Sequence, residues 1–222
     1  MKQMVEQINA QRPDVVVIAG DIFDNEYEAL DDPEKLQEIL SSIDSTYGVY
    51  ACYGNHDIDE KILAGFTFEQ KGKKQSDIRM DKFLKKCNIK LLRDEAVLIE
   101  DAFYLYGRPD MNAWQRIEKR KTPEEITEEL DKSKPILVLD HEPRELQELA
   151  EAGVDLDLCG HTHDGQMFPG NLIASLSWEI LWVFEKGEMH NIVTSGVGVF
   201  GPNMRVGTKS EICGVEVRFL PE

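Results

Sequence analysis

Two of the five histidines of this chain, His161 and His163, lie one residue apart within the segment CGHTHDGQ. Glycines stand on both sides of the pair, and an apolar run typical of a β-strand comes directly before it. In such a position both imidazoles can turn toward one point, and the usual reasons to gather imidazoles are a metal ion or a charged transition state. Two loop histidines in solvent are the alternative that this segment alone leaves open.

Four apolar runs of the sequence end in polar clusters. These runs read VVVIAGDIFD, VYACYGNHD, ILVLDHEP and DLDLCGHTHDG. In open α/β sheets, ligands bind beyond the carboxyl ends of the strands, which is where these clusters would lie. The side chains of the clusters that could do chemistry are Asp21, Asp24, Asn55, His56, Asp57, His141, His161 and His163. Each has an ordinary explanation by itself, but oxygen and nitrogen donors at several neighbouring strand ends together predict a coordination shell.

The predicted donor set contains carboxylate, amide oxygen and imidazole, but no thiolate. This set favours Mn, Fe, Zn or Co in a reactive site over a closed structural zinc site, which would use cysteines. Asp21 can bridge two ions, and a pair of ions can clamp the attacking and leaving oxygens of a displacement at phosphorus. His56 is then free to protonate a leaving oxygen, with Asp57 holding its ring. The predicted chemistry is hydrolysis of a phosphate ester or anhydride.

Strand and helix patterns alternate along the chain. Residues 14–19 and 48–53 read as buried strands around a helix that opens at Asp32-Pro33, which makes a βαβ unit. An antiparallel strand pair, a helix with a capping box at Thr122, and further strands and a helix follow, over residues 96–99, 103–106, 135–139, 143–152, 154–158, 190–195 and 214–219. This alternation predicts an α/β layered fold with mixed sheets.

Length and charge limit the function further. The 222 residues suit a single domain, 1–222, and 42 acidic against 25 basic residues give a net charge of −17. Such a field repels phosphate backbones, so no nucleic-acid partner is expected. No apolar stretch is long enough to span a bilayer and no signal peptide is present, so the chain as written is expected to be soluble. Arg108 and Arg205 are candidates to hold a substrate phosphate by their fork geometry, although surface ion pairs explain them equally well.

The motifs GDIFD, GNHD, HEP and GHTH resemble, in order and approximate spacing, those of the calcineurin-like metallophosphoesterases. The resemblance runs from about Asp14 to the end of the chain, and it implies a four-layer α/β/β/α sandwich with two divalent transition metals. By resemblance, Asp21 bridges the two ions, and His163 belongs to one of them. The residues implied to complete the other ion are Asn55, His141 and His161. His56 would be the catalytic histidine, with Asp24 and Asp57 as supporting residues.

The C-terminal part of the chain, from GHTHDGQMFPG onward, most resembles a branch of the family often found with membrane-anchoring segments. Studied members of that branch include enzymes acting on lipid-linked sugar nucleotides. The usual sequence there is GHTHGGQ, so Asp164 replaces a glycine and can alter the loop. The implied substrate is a phosphorylated small molecule, nucleotide or lipid-linked compound with a phosphate monoester, diester or pyrophosphate bond. A nuclease of the same fold and a metal-binding pseudoenzyme are the alternatives.

One departure from the family pattern concerns its first strand, which ends in Asp-x-His and supplies two ligands to the ion that His163 serves. This sequence has no such motif and starts at the helix that should follow that strand. Either the chain is a fragment of a longer protein or it is a natural variant with one damaged site. The fragment is the favoured interpretation, because losing a central parallel strand leaves a buried hydrogen-bond ladder unpaired. One well-formed metal site is therefore expected, and membrane association would come through the missing N-terminal segment.

Overall fold

A computed structural model of the chain describes residues 1–57, 62–63, 66–67, 76–110, 120–166, 183–199, 201 and 203–219. Its α-helices are α1 (Lys2–Ala10), α2 (Pro33–Leu40), α3 (Ile78–Lys86), α4 (Pro123–Thr127) and α5 (Leu146–Ala152). Its strands are β1 (Val16–Ala19), β2 (Val49–Cys52), β3 (Ile62–Leu63), β4 (Phe66–Thr67), β5 (Ile89–Leu91), β6 (Glu95–Ile99), β7 (Phe103–Gly107), β8 (Ile136–Leu139), β9 (Leu156–Cys159), β10 (Val183–Lys186) and β11 (Met189–Val193).

The first sheet is parallel and has the order β1-β2-β5. Its central strand, β2, is buried along its whole length, as expected for an apolar strand between two layers. In the described part of the chain β1 lies at the edge, and all four of its residues, Val16 to Ala19, are only partly buried. The sheet therefore has one well-covered centre and one apolar strand at its border.

The second sheet is mixed and has the order β10-β11-β9-β8-β7-β6. Strands β7, β8, β9 and β11 run parallel to one another, whereas β6 and β10 each pair antiparallel with a neighbour. The predicted antiparallel pair is thus confirmed as β6 and β7. Strands β3 and β4 form a separate small hairpin.

The two sheets stack face to face with helices on both outer faces. The apolar cluster between the sheets includes Tyr50, Cys52, Leu105, Leu137, Leu139 and Leu156. A second cluster joins α1, α2 and α3 to the first sheet, and a third joins α4 and α5 to the second sheet. The predicted α/β/β/α layers are confirmed, because each sheet has one face against the other sheet and one face under helices.

Two helix starts follow the predicted capping chemistry. Asp32 caps α2 by accepting a hydrogen bond from the Lys35 backbone N–H at 3.0 Å. At the start of α4, Thr122 and Glu125 form a reciprocal capping box. The helix predicted over 143–152 is shorter in the structure and begins at Leu146, because Glu145 before it adopts a left-handed backbone with φ of 56°.

The strand predicted over 214–219 is wrong. That segment is in no sheet, and its apolar residues Val215, Val217 and Phe219 are exposed by 42%, 42% and 46%. Its alternating pattern suits a strand, but a strand forms only where another strand offers hydrogen bonds. Phe219 instead stacks on Phe103, with ring centroids 5.4 Å apart. None of the helices in the described ranges combines the length and the apolar character needed to cross a bilayer.

Candidate active site

The site lies where the carboxyl ends of strands from both sheets meet. Asp21 follows β1 and Asn55 follows β2 in the first sheet, whereas His141 follows β8 and His161 follows β9 in the second. The imidazole of His141 crosses between the sheets, with its Nδ1 2.7 Å from the carbonyl oxygen of Ala19 at the end of β1. The predicted convergence of strand ends therefore takes place between two stacked sheets.

Four side-chain atoms converge on one point, and we call them the four-donor cluster: Asp21 Oδ2, Asn55 Oδ1, His141 Nε2 and His161 Nδ1. His141 Nε2 lies 3.1 Å from Asp21 Oδ2, 3.0 Å from Asn55 Oδ1 and 3.0 Å from His161 Nδ1. The ligand atoms of Asp21, His141 and His161 all fall within 4.8 Å of one another. The His141 side chain is 1% exposed, whereas the side chains of Asp21 and His161 are 17% and 25% exposed.

The chemistry of the cluster calls for a cation. Because His141 Nδ1 faces a backbone carbonyl, that nitrogen carries the proton and Nε2 offers a lone pair in the neutral ring. Asp21 Oδ2 and Asn55 Oδ1 offer lone pairs to the same point, so a positive charge there satisfies all of them. Carboxylate, amide and imidazole donors in this arrangement fit a divalent transition metal.

The pKa values of the cluster show the same need for positive charge. Burial alone would raise the pKa of Asp21, but its hydrogen bond to His141 and the charge of that ring lower it to about 2. Burial alone would lower the pKa of His141, but Asp21 raises it to about 9. Burial and the neighbouring His141 lower the pKa of His161 to about 4. A proton on His141 therefore supplies positive charge to these acceptors, and a bound metal ion would take the place of that proton.

Two glycines allow the cluster to close. A Cβ added to Gly20, whose φ is +79°, would lie 2.6 Å from both Gly54 N and His141 Nδ1. A Cβ added to Gly54 would clash with the Asp21 carboxylate and would lie 2.7 Å from His141 Cε1. The glycines of GDIFD and GNHD thus provide the space in which Asp21 and His141 meet.

Asp57 ties the two loops of the first sheet together. Its side chain is fully buried, and its Oδ1 accepts hydrogen bonds from the backbone N–H groups of Ile22 and Phe23, both at 2.8 Å. Its Oδ2 accepts a third from Gly54 N–H at 2.7 Å. The sequence predicted that Asp57 holds the His56 ring. In the structure the Asp57 carboxylate instead accepts hydrogen bonds from these three backbone N–H groups.

His56 is held by a residue that the sequence motifs did not indicate. Its Nδ1 lies 2.7 Å from Oδ1 of Asn25, a residue that is 2% exposed and has a left-handed φ of 63°. Its backbone N–H donates to Asp21 Oδ1 at 2.9 Å, which keeps the ring beside the cluster. Asp24, the predicted supporting residue, has an exposed side chain.

His163 lies apart from the four-donor cluster on a 3₁₀ turn, His163–Gly165. Its Nδ1 is buried without a hydrogen-bond partner in the described part of the chain, and burial and the charge of Arg205 lower the pKa of the ring. Asp21, His141 and His56 are close enough for their charges to act on this ring as well. A neutral imidazole with a buried ring nitrogen that has no hydrogen-bond partner among the described residues fits a metal ligand.

The two candidate arginines are used within the fold. The Arg205 guanidinium donates to four backbone carbonyls, those of His163, Ser195, Gly196 and Gly198. It therefore fastens the His163 turn to the segment after β11. These contacts differ from the predicted grip on a substrate phosphate.

Arg108 belongs to a buried charge network under His141. Its side chain is fully buried and pairs with Asp140 at 3.2 Å and Glu145 at 2.7 Å. Arg120 also binds Asp140, at 2.6 Å, and the charges of the two arginines lower the pKa of Asp140, although burial alone would raise it. Asp140 in turn accepts the His141 backbone N–H at 2.8 Å, so the network supports the end of β8.

Comparison with known proteins decides the family. The family model of calcineurin-like phosphoesterases matches residues 1–165. The chain belongs to this family. An uncharacterised metallophosphoesterase of Helicobacter pylori is 30% identical over 222 residues, which cover 99% of this chain and 54% of that protein. The chain thus spans about half the length of such relatives.

Two other relatives of this calcineurin-like phosphoesterase chain have informative names. Phosphodiesterase YaeI of Escherichia coli is 28% identical, over 93% of this chain and 71% of that protein. A zebrafish (Danio rerio) protein named transmembrane protein with metallophosphoesterase domain is 28% identical, over 98% of this chain and 49% of that protein. Both names agree with a family that acts on phosphate esters and has membrane-bound members.

Two residues beside the cluster of this phosphoesterase chain were missed by sequence reasoning. Asn25 directly follows the GDIFD motif, and its only signal was an asparagine in a polar turn, a residue that tolerates left-handed backbone. Glu142 lies within the HEP motif, with its Oε1 3.8 Å from His161 Nε2. A carboxylate behind a ligating histidine is a common supporting contact, and the HEP motif contained it.

Proposed function

We propose that the chain is the catalytic domain of a metal-dependent phosphoesterase that hydrolyses a phosphate monoester, diester or pyrophosphate bond. The observation that carries this proposal is the four-donor cluster, in which carboxylate, amide and imidazole lone pairs meet between two sheets. Family membership supports the reaction class. Mn, Fe, Zn and Co are the metals that suit the donors.

The roles of the chain's own residues follow from their positions. Asn55, His141 and His161 would hold one ion together with Asp21, and His163 would serve a second ion. A bound divalent ion would act as a Lewis acid that activates water and polarises the phosphoryl oxygens. His56 stands beside Asp21 and donates a proton to the leaving oxygen. Asp57 keeps the GDIFD and GNHD loops in register through its three backbone hydrogen bonds.

The two metal positions differ in their number of donors. Four side chains surround one position, whereas among the described residues we assign only Asp21 and His163 to the other. Two protein ligands leave an ion mostly to water and poorly fixed. We expect one tightly held ion per chain and slow turnover, with both increased by an added N-terminal strand that ends in Asp-x-His.

The proposed substrate is a phosphorylated small molecule, a nucleotide or a lipid-linked phosphate. The net charge of −17 opposes a nucleic-acid substrate. The zebrafish relative named as a transmembrane protein supports a membrane-associated parent, in which a lipid-linked phosphate would be within reach.

The test combines metal analysis with steady-state kinetics. The metal-free chain is loaded separately with Mn²⁺, Zn²⁺, Fe²⁺ or Co²⁺, dialysed, and assayed on 4-nitrophenyl phosphate and bis(4-nitrophenyl) phosphate. The same measurements are made on the chain with the Asp-x-His strand added. We expect about one retained ion and weak hydrolysis for the 222-residue chain, and more of both after the addition.

Other outcomes identify the alternatives. One retained ion without hydrolysis in either form of the protein would indicate a metal-binding pseudoenzyme. Tight and salt-sensitive binding of duplex DNA would support the alternative that the chain is a nuclease, since nonspecific affinity for DNA depends on counterion release. Two tight ions and rapid turnover in the 222-residue chain would mean that a further residue completes the second position.

A further inference from the structure

The contact between Asn25 and His56 defines the orientation of the proposed acid. Asn25 binds His56 twice, because its backbone N–H donates to the His56 carbonyl at 2.9 Å while its Oδ1 lies 2.7 Å from His56 Nδ1. Asn25 is 2% exposed, so its amide is fixed by its surroundings. The backbone of Asn25 is left-handed, with φ of 63°, a conformation that asparagine tolerates better than most residues. Backbone and side chain together hold the ring at one angle.

The chemical requirement at His56 is a donor at Nε2, which the ring offers when both nitrogens carry protons. On proton transfer the Nε2–H bond breaks, its electron pair stays on Nε2, and a new O–H bond forms on the leaving oxygen. The ring then carries its remaining proton on Nδ1. An amide oxygen accepts a hydrogen bond from Nδ1–H both before and after this step, so the ring need not turn during the transfer.

We infer that Asn25 is the positioning residue of His56, and that its Oδ1 fixes the Nδ1–H tautomer, so that Nε2 is the nitrogen that gives up the proton in the proposed reaction. The role of Nε2 as the proton donor rests on the proposed function, but the tautomer itself is a property of the chain alone. Asp24, whose side chain is exposed, does not have this role. A neutral amide thus stands where a carboxylate was expected from the family resemblance.

The first test is NMR spectroscopy of ¹⁵N-histidine in the full 222-residue chain, with the His56 signals assigned by their loss in His56→Ala. We expect the neutral His56 ring to be protonated at Nδ1 in the wild type and in Asn25→Asp, which keeps an acceptor oxygen. In Asn25→Ala we expect a shift toward the Nε2–H form. Asn88→Ala is the matched control, because Asn88 is exposed and has a similar φ of 59°.

The second test uses two leaving groups of different basicity. With phenyl phosphate, which needs a proton on its leaving oxygen, Asn25→Ala should lower kcat/KM by about 10-fold or more. With 2,4-dinitrophenyl phosphate, whose leaving group departs without a proton, the loss should be below about 2-fold. Asn25→Asp should restore most of the phenyl phosphate activity, and Asn88→Ala should leave both rates unchanged.

The inference is overturned if neutral His56 carries its proton on Nε2 in the wild type, or if Asp24→Ala rather than Asn25→Ala changes the tautomer. Equal losses on the two esters would also contradict it, since they would indicate a purely structural effect. A wild type that hydrolyses neither ester would contradict the proposed function instead, and the NMR result would still decide the role of Asn25.

Discussion

The four-donor cluster and the His163 turn both draw a histidine from the CGHTHDGQ segment, yet they are built differently. In the cluster, Asp21, Asn55 and His141 each follow a strand, and hydrogen bonds within the site hold them. His163 lies on a 3₁₀ turn, and Arg205, which is 42 residues away in sequence, fastens that turn through the His163 carbonyl. Strand ends therefore bring ligands into contact with one another, whereas the His163 turn is held by an arginine from elsewhere in the chain.

The largest expected effect would break the cluster itself. His141→Ala removes the central imidazole, so the affinity for the first metal ion should fall by more than about 100-fold, beyond the effect of losing an outer partner. His163→Ala should leave that ion in place. Metal content after dialysis, with the exposed His190→Ala as a control, checks both. Equal losses in the His141 and His163 variants would contradict the division into two unequal sites.

A second prediction concerns the support under the cluster. Arg108→Met leaves Asp140 and Glu145 with one cation fewer in a buried network, which should cost about 3–5 kcal/mol of unfolding free energy. Arg79→Met, at an exposed ion pair, should cost far less, because solvent screens that pair. Denaturant unfolding measures both. An increased KM with unchanged stability would instead assign Arg108 to the substrate.

A third prediction separates metal binding from proton transfer. His56→Ala should lower turnover by about 100-fold, because a positioned acid contributes at least this much. The metal content should be nearly unchanged, since only the backbone N–H of His56 contacts Asp21. Metal analysis beside kinetics provides the check, and loss of the ion would place His56 among the ligands.

A fourth prediction concerns the pH dependence of stability that comes from Asp157, a buried residue of β9. Burial and the charge of Asp140 raise the pKa of Asp157 to about 7, so the folded state binds an extra proton between about pH 4 and pH 7. Stability therefore falls as the pH rises through this window, by up to ~1.4 kcal/mol per pH unit. This fall should be absent in Asp157→Asn. The difference in stability between the variant and the wild type should therefore favour the variant more at pH 8 than at pH 5. Thermal unfolding at the two pH values tests it, with the exposed Asp31→Asn as a control that should not change the slope.

The smallest expected effect concerns the strain of the His163 turn. Asp164 has φ of 50° and ψ of 39°, a left-handed conformation that costs most residues about 1–2 kcal/mol and glycine nothing. Asp164→Gly should therefore gain at most about 1 kcal/mol, because aspartate tolerates this conformation better than most residues and the entropy cost of glycine is subtracted. Asp101→Gly, at φ of 57° on an exposed turn, should gain a similar amount. A loss of stability at Asp164 alone would show that its side chain supports the turn.

Much of the fold could be predicted because apolar periodicity and motif positions are local signals. The runs before Gly20, Gly54 and His141 are strands, and their polar ends meet as expected. The roles of Asp57 and Asn25 could not be predicted, because they depend on contacts with Ile22 and His56, respectively, each more than 30 residues away in sequence. The failed strand over 214–219 has the same cause, since a strand pattern does not identify its partner.

The position of β1 has a consequence for the handling of the protein. This strand is apolar, lies at a sheet border in the described part of the chain, and is only partly covered. Such a border offers backbone hydrogen bonds to other chains and is a template for self-association. The net charge of −17 keeps molecules apart, and salt screens that repulsion within about 10 Å at 0.1 M ionic strength. The protein should therefore stay dispersed at low salt concentration, whereas high salt concentration should favour self-association through β1.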